Sequence, residues 1–154
     1  MEETIQTDNV SIKEETKEVI KNIKGIEEVI ISEELDSYNN GYIWSMTETE
    51  DKRIASGGYD GNISISSYDV KKKTWKRDIH KKEAHNGSVN SLCTLNGNRL
   101  LSGGYDNSIK LWNVFNAEIT LIKEIRKHSS YVYKVISLSK ERFASCCYDS
   151  TVKI

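Results

Sequence analysis

The feature that most constrains this chain is a short segment that occurs three times. Each copy has an arginine, two apolar residues, a serine, two small residues and the pair Tyr-Asp, and the copies occupy residues 53–60, 99–106 and 142–149. In the second copy a short apolar run is followed by a turn that contains glycines. A second run, in which apolar and polar residues alternate, then ends at Trp112. This pattern predicts a strand, a tight turn and a returning strand. The chain is therefore expected to be built from repeated hairpins.

The spacing of these segments indicates the architecture. Asp60 and Asp106 are 46 residues apart, and 43 residues separate both Asp106 from Asp149 and His85 from His128. A period in the forties with four short strands in each unit is typical of a propeller array. We therefore predict an all-β domain over residues 26–154, with repeats near 39–80, 85–125 and 128–154. Residues 26–35 predict an additional strand before the first repeat.

The first 25 residues differ from the repeats. Residues 11–14 fit a capping box, and one helical face would carry apolar side chains up to a stop at Gly25. One alternative is that residues 8–13, which resemble residues 106–110, are the end of a degraded repeat. Another is that the N-terminal segment is disordered. We favour a short acidic helix, because residues 8–13 lack the strand that precedes residues 106–110 in the repeat. Residues 1–38 carry a net charge of −7, whereas the remainder carries +6.

Composition excludes some classes of protein. The overall net charge is −1, so charge alone favours neither a nucleic-acid partner nor a membrane surface. The chain has no apolar run of membrane-spanning length, and its acidic start is unlike a signal peptide. Three cysteines form no disulfide framework. We expect an intracellular protein, cytoplasmic with the nucleus as the alternative, that has no cofactor and no metal site.

The second repeat resembles the WD40-repeat family. The residues that carry the resemblance are His85, Ser102, Asp106 and Trp112, which lies six residues after the aspartate, although Asn113 stands where that family usually has Asp. The resemblance covers residues 39–154 and implies a partial β-propeller of about two to three blades. Because a closed propeller has four to eight blades, the expectation is a fragment of a longer protein or a truncated gene product.

In that family the four matching side chains form a hydrogen-bonded structural tetrad inside a blade. The resemblance implies this role for His85, Ser102, Asp106 and Trp112. A buried indole N–H needs an acceptor, and a hydroxyl can relay hydrogen bonds to an imidazole. The same residue types occur in hydrolase triads, but recurrence in successive repeats argues against a nucleophile, which is needed only once. We predict a protein without enzymatic activity.

The other two repeats depart from the tetrad. The first repeat has Asn39 in place of the histidine and Ser66 in place of the tryptophan. The third has His128, Ser145 and Asp149, with Cys146 and Cys147 in place of the paired glycines. We interpret these cysteines as small apolar strand residues.

The resemblance also implies a docking face, which would be formed by the turn before each aspartate and by the start of each innermost strand. The residues at these positions are Tyr42, Trp44, Tyr59, Ser88, Asn90, Tyr105, Tyr131, Tyr133 and Tyr148. Tyrosine and tryptophan are enriched at binding hot spots. We therefore predict a scaffold that binds protein or peptide partners through this face, with packing between blades as the alternative role of the rings.

A second candidate surface is the basic run at residues 71–82, which contains Trp75 among lysines and an arginine. Basic residues interleaved with an aromatic ring can bind phosphates or RNA. Lysines are also common on solvated edge strands. We favour the solvated strand, and a nucleic-acid-binding or phosphate-binding propeller is the alternative function.

Overall fold

The computed structural model describes residues 41–139 and 141–154. Within these residues all regular structure is β-strand, arranged as three antiparallel sheets. The all-β prediction is therefore confirmed. The predicted helix in residues 1–25, the predicted strand at 26–35 and Asn39 all lie outside the described residues.

Each sheet corresponds to one predicted repeat, and its strands follow one another in chain order. Sheet 1 contains β1 (Ile43–Glu48), β2 (Ile54–Gly58), β3 (Ile63–Asp69) and β4 (Thr74–Lys81). Sheet 2 contains β5 (Val89–Leu95), β6 (Arg99–Gly104), β7 (Ile109–Phe115) and β8 (Glu118–Ile125). Sheet 3 contains β9 (Val132–Ser137), β10 (Phe143–Cys147) and the short β11 (Val152–Lys153).

The recurring aspartates shape the turn between the second and third strands of each sheet. The carboxylates of Asp60, Asp106 and Asp149 each accept a hydrogen bond, 3.1 Å long, from the backbone N–H two residues later. Such Asx turns are a common reason for aspartate at turns. This local bond explains why the aspartate recurs even in the sheet that lacks other parts of the pattern.

Adjacent sheets are joined by a repeated contact between their first strands. Ser45 Oγ accepts a hydrogen bond from the backbone N–H of Leu92 at 3.0 Å, and Ser91 Oγ accepts one from Val135 at 3.1 Å. The second strand of sheet 2 also lies close to sheet 3, because a Cβ on Gly103 of β6 would lie 2.6 Å from a methyl carbon of Val132. This spacing leaves no room for a side chain, so glycine is required at the contact.

The apolar core lies between the sheets. One buried cluster joins side chains of sheet 1 to sheet 2, and its members are Ala55, Ile63, Ile65, Ile79, Ala84, Val89, Leu92, Leu100, Trp112 and Val114. A second cluster joins sheet 2 to sheet 3 through Leu95, Leu101, Ile109, Val132 and Val135. Because each cluster draws on two sheets, the sheets stabilise one another.

Candidate functional site

The interior of sheet 2 contains a continuous chain of hydrogen bonds. The Trp112 indole N–H donates to Ser102 Oγ at 2.8 Å, and Ser102 Oγ lies 2.6 Å from His85 Nε2. On the other side of the ring, His85 Nδ1 lies 2.8 Å from a carboxylate oxygen of Asp106. The simplest arrangement of protons has Ser102 donating to Nε2 and Nδ1–H donating to Asp106.

These four side chains are shielded from solvent. Trp112 is 2% exposed, His85 is 3% exposed and Ser102 is fully buried. Burial of Asp106 opposes its ionisation, but hydrogen bonds from His85 and Ser108 hold the pKa of this carboxyl well below its ordinary value. A satisfied polar chain of this kind rigidifies the surrounding strands. Because Ser102 is buried, a substrate could not reach its hydroxyl. The geometry of the four side chains therefore fits a structural role inside the sheet.

Sheet 3 repeats part of this arrangement. His128 Nδ1 lies 2.9 Å from Asp149 Oδ2, and His128 Nε2 lies 2.9 Å from Ser145 Oγ. The Thr151 hydroxyl, 2.6 Å from Asp149 Oδ1, and the His128 imidazole together hold the pKa of the Asp149 carboxyl well below its ordinary value. The His–Ser–Asp set therefore occurs in two sheets, as the sequence predicts.

The turn tyrosines occupy equivalent positions in all three sheets. The backbone N–H groups of Tyr59, Tyr105 and Tyr148 donate to the carbonyl groups of Tyr42, Ser88 and Tyr131 respectively, over 2.9 to 3.0 Å. In each sheet this hydrogen bond joins the turn to the start of the first strand. It therefore places the two groups of predicted partner-binding residues side by side.

Four of these aromatic side chains form a cluster, which we call the tyrosine cluster: Tyr105, Tyr131, Tyr133 and Tyr148. The rings of Tyr105 and Tyr131 stack with centroids 3.9 Å apart, and the Tyr105 hydroxyl donates to the Tyr131 hydroxyl at 3.1 Å. The ring centroid of Tyr148 lies 5.9 Å from that of Tyr131 and 6.1 Å from that of Tyr133. The interaction with the neighbouring Tyr105 hydroxyl raises the pKa of the Tyr131 hydroxyl above its ordinary value.

The tyrosine cluster is open to solvent. Tyr105 is 50% exposed, Tyr133 is 52% exposed and Tyr148 is 65% exposed, whereas Tyr131 is half-buried beneath its neighbours. Rings that already pack on one another lose little freedom when a partner covers them. The rings therefore pack across sheets 2 and 3, which is the alternative role weighed from the sequence, and still present an apolar surface to solvent.

The other predicted partner-binding residues lie outside these ring contacts. Tyr42, Trp44 and Tyr59 are well exposed on sheet 1. Ser88 is half-buried. The Asn90 side-chain amide donates to the Val132 carbonyl at 2.9 Å, so this side chain links sheets 2 and 3.

The basic run of residues 71–82 forms the β3–β4 turn and the outermost strand of sheet 1. Lys71, Lys72 and Lys73 are exposed at the turn. Trp75 is half-buried, with its ring against the edge of Tyr68 at a centroid distance of 5.5 Å. The strand thus carries exposed lysines, as solvated edge strands often do. Its aromatic ring, Trp75, already packs against Tyr68.

Sequence reasoning missed two features that depend on contacts between strands. The first is the Ser45 and Ser91 bridge between sheets, although these serines are 46 residues apart and the period could have revealed them. The second is the juxtaposition of His128, Cys147 and Asp149, whose ligating atoms lie within 4.8 Å of one another. The interpretation of Cys147 as a small apolar strand residue did not anticipate this neighbourhood.

No helix among the described residues has the length and apolar character needed to cross a membrane. None of the curated proteins compared with the chain gives a significant match. By contrast, residues 76–113 and 119–154 each match the family model described as WD domain, G-beta repeat. These ranges contain β5, β6, most of β7 and β9–β11, and they include both His–Ser–Asp sets described above. The chain therefore contains WD40 repeats over these two ranges.

Proposed function

We propose that this protein is a docking scaffold that binds a protein or peptide partner through the tyrosine cluster. WD40 repeats generally mediate protein–protein interaction, and the family typically supplies non-enzymatic scaffolds. The observation that carries the proposal is the stacked and hydrogen-bonded pair of Tyr105 and Tyr131, flanked by exposed Tyr148 and Tyr133. Rigid aromatic side chains supply contact area at low entropic cost.

The pairing of rings from two sheets supports this assignment. Tyr105 belongs to the turn after β6, and Tyr131 directly precedes β9. A partner that covers both rings would contact two repeats at once. A hot-spot cluster of this type usually supplies most of an interface's binding energy, with the surrounding polar residues excluding water.

The proposal is tested by selecting peptides from a random display library against the full chain and measuring their affinity by calorimetry. Tyr148→Ala is expected to weaken binding of the selected peptides by about 10- to 30-fold, the effect of a hot-spot residue. Phe115→Ala is the matched control, because Phe115 is 59% exposed on β7, outside the tyrosine cluster. It should leave affinity within about twofold, as expected for a residue outside a hot spot.

Three results would contradict the proposal. Equal affinities of Tyr148→Ala and the unchanged chain would exclude the cluster as the contact surface. Unfolding of Tyr148→Ala, seen by circular dichroism, would assign the ring to packing instead. Steep salt dependence of RNA or anionic-vesicle binding that is lost when Lys71, Lys72 and Lys73 become Gln would favour the nucleic-acid or phosphate alternative.

We also propose an intracellular location, in the cytoplasm or alternatively the nucleus. Cys93, Cys146 and Cys147 are all free thiols in the structure. A reducing compartment keeps such thiols reduced. Fluorescence microscopy of the tagged full chain tests this proposal, and secretion into the medium would contradict it.

A further inference from the structure

Sheet 3 differs from sheet 2 at one position beside its histidine. Gly104 and Cys147 are equivalent, because they pair with Val89 and Val132 at the start of the first strand of each sheet. A Cβ added to Gly104 would collide with the imidazole of His85, meeting Cγ at 2.6 Å and Nδ1 more closely still. In sheet 3 this position carries a thiol side chain, which the fold brings against the polar groups of His128 and Asp149.

We propose that His128, Cys147 and Asp149 form a binding site for a zinc ion. The ligating atoms of His128, Cys147 and Asp149 all lie within 4.8 Å of one another. We assign Nδ1 as the histidine ligand, because it lies 2.9 Å from Asp149 Oδ2 whereas Nε2 faces Ser145. Imidazole, thiolate and carboxylate are the three ligand types that zinc takes in proteins. The proposal is independent of the docking function.

The separations suit a single ion. Zinc bonds of about 2.0 to 2.3 Å in tetrahedral geometry place neighbouring ligand atoms roughly 3.3 to 3.7 Å apart. His128 Nδ1 and Asp149 Oδ2 are 2.9 Å apart and can separate slightly as the ion enters between them. Small rotations of the Cys147 and Asp149 side chains complete the three-ligand set, and a water molecule takes the fourth position.

The surroundings orient the ligands. The Thr151 hydroxyl and the Ser129 backbone N–H donate to the Asp149 carboxylate at 2.6 and 3.1 Å. His128 and Cys147 are only 7% and 8% exposed, so both are held by the strands around them. Groups that orient metal ligands in this way strengthen binding.

Zinc binding requires a defined change of protonation. Without metal, the Cys147 thiol donates its proton to the Ser130 carbonyl at 3.0 Å and accepts a hydrogen bond from the Asp149 backbone N–H at 3.3 Å. The ion displaces that proton to solvent and bonds the thiolate. The imidazole proton moves from Nδ1 to Nε2, where it donates to Ser145 Oγ, 2.9 Å away, and the serine hydroxyl turns from donor to acceptor. One proton is released for each ion, so affinity falls as pH falls.

Cobalt(II) titration of the reduced full chain tests the site, because cobalt replaces zinc and reports thiolate bonding through a near-ultraviolet charge-transfer absorption. We expect this band to saturate at one cobalt per chain and to disappear when zinc is added. Cys147→Gly, which installs the residue of sheet 2, should abolish the band. Cys146→Ser and Cys93→Ser are the matched controls and should retain it.

A thermal unfolding experiment provides a second readout. Zinc should raise the unfolding midpoint of the unchanged chain and leave that of Cys147→Gly unaltered, since a ligand stabilises only the state that binds it. Absence of the charge-transfer band in the folded chain would overturn the proposal. So would a band that survives Cys147→Gly or is lost in Cys146→Ser.

Discussion

Sheets 1 and 2 have the same strand order but different polar interiors. In sheet 2 the hydrogen-bonded chain runs from Trp112 through Ser102 and His85 to Asp106. In sheet 1 the place of Trp112 is taken by Ser66, as the strand register shows, because Ser66 pairs with Ile54 just as Trp112 pairs with Leu100. The tetrad is thus present in one sheet and interrupted in its neighbour.

Sheet 1 has a polar contact of its own elsewhere. Ser64 Oγ on β3 lies 3.0 Å from His80 Nδ1 on β4, and burial lowers the pKa of His80. The turn at Asp60 keeps its hydrogen bonds to Asn62. The comparison shows that the turn keeps its aspartate hydrogen bonds where the tryptophan is absent, whereas the tetrad adds interior rigidity in sheet 2.

The largest difference between the sheets should appear when the tetrad tryptophan is removed. Trp112→Ala is expected to lower the free energy of unfolding by about 3 to 5 kcal/mol, since it leaves a cavity in the buried cluster that sheets 1 and 2 share. Ser66→Ala at the equivalent position should cost no more than about 1.5 kcal/mol, the usual contribution of one hydrogen bond. Guanidinium unfolding followed by circular dichroism measures both.

A third variant distinguishes the contribution of the Trp112 ring to stability from that of its N–H group. Trp112→Phe keeps most of the apolar volume and removes the donor to Ser102, so we expect a loss of about 1 to 3 kcal/mol. Similar losses for Trp112→Ala and Ser66→Ala would show that the tetrad does not distinguish the two sheets.

Acid should weaken the fold through the aspartates of sheets 2 and 3. The pKa values of Asp106 and Asp149 are lowered in the folded protein, so the unfolded chain takes up protons first as the pH falls. Their stabilisation is complete well above the ordinary aspartate pKa of about 3.9 and is lost as the pH falls below it, so the free energy of unfolding should decline there.

Urea unfolding between pH 6 and pH 2 measures this loss. Asp106→Asn should flatten the decline, because the amide does not titrate. An unchanged slope in Asp106→Asn would show that this carboxyl does not contribute to the acid sensitivity.

The smallest effects concern the bridges on either side of sheet 2. Ser45→Ala removes one hydrogen bond between sheets and should cost about 0.5 to 1.5 kcal/mol. Ser91→Ala removes the bond from the Val135 N–H and a longer one, 3.5 Å, to the Val135 carbonyl, so it should cost at least as much. Ser67→Ala, on half-buried Ser67 of β3, is the control and should stay within about 0.5 kcal/mol. A smaller loss for Ser91→Ala than for Ser45→Ala would contradict this order.

Much of the fold could be predicted from the sequence, because the features that define it are local. The period of 43 to 46 residues, the alternating strands and the turn aspartates depend on residues close together in the chain. The pairing of His85 with Ser102 and Asp106 follows as well, since these residues belong to one sheet and have a family precedent. Prediction was least accurate at strand ends, where β4 begins at Thr74 instead of at residue 71.

Contacts between sheets were decided only by the tertiary structure. Sequence grouped nine residues on one face, but the packing of sheet 3 against sheet 2 is what stacks Tyr131 on Tyr105 and turns Asn90 towards Val132. The approach of Cys147 to His128 likewise depends on the register between β9 and β10. The repeat specifies each hairpin through short-range spacing, whereas distances between side chains of different strands depend on how the strands and sheets pack.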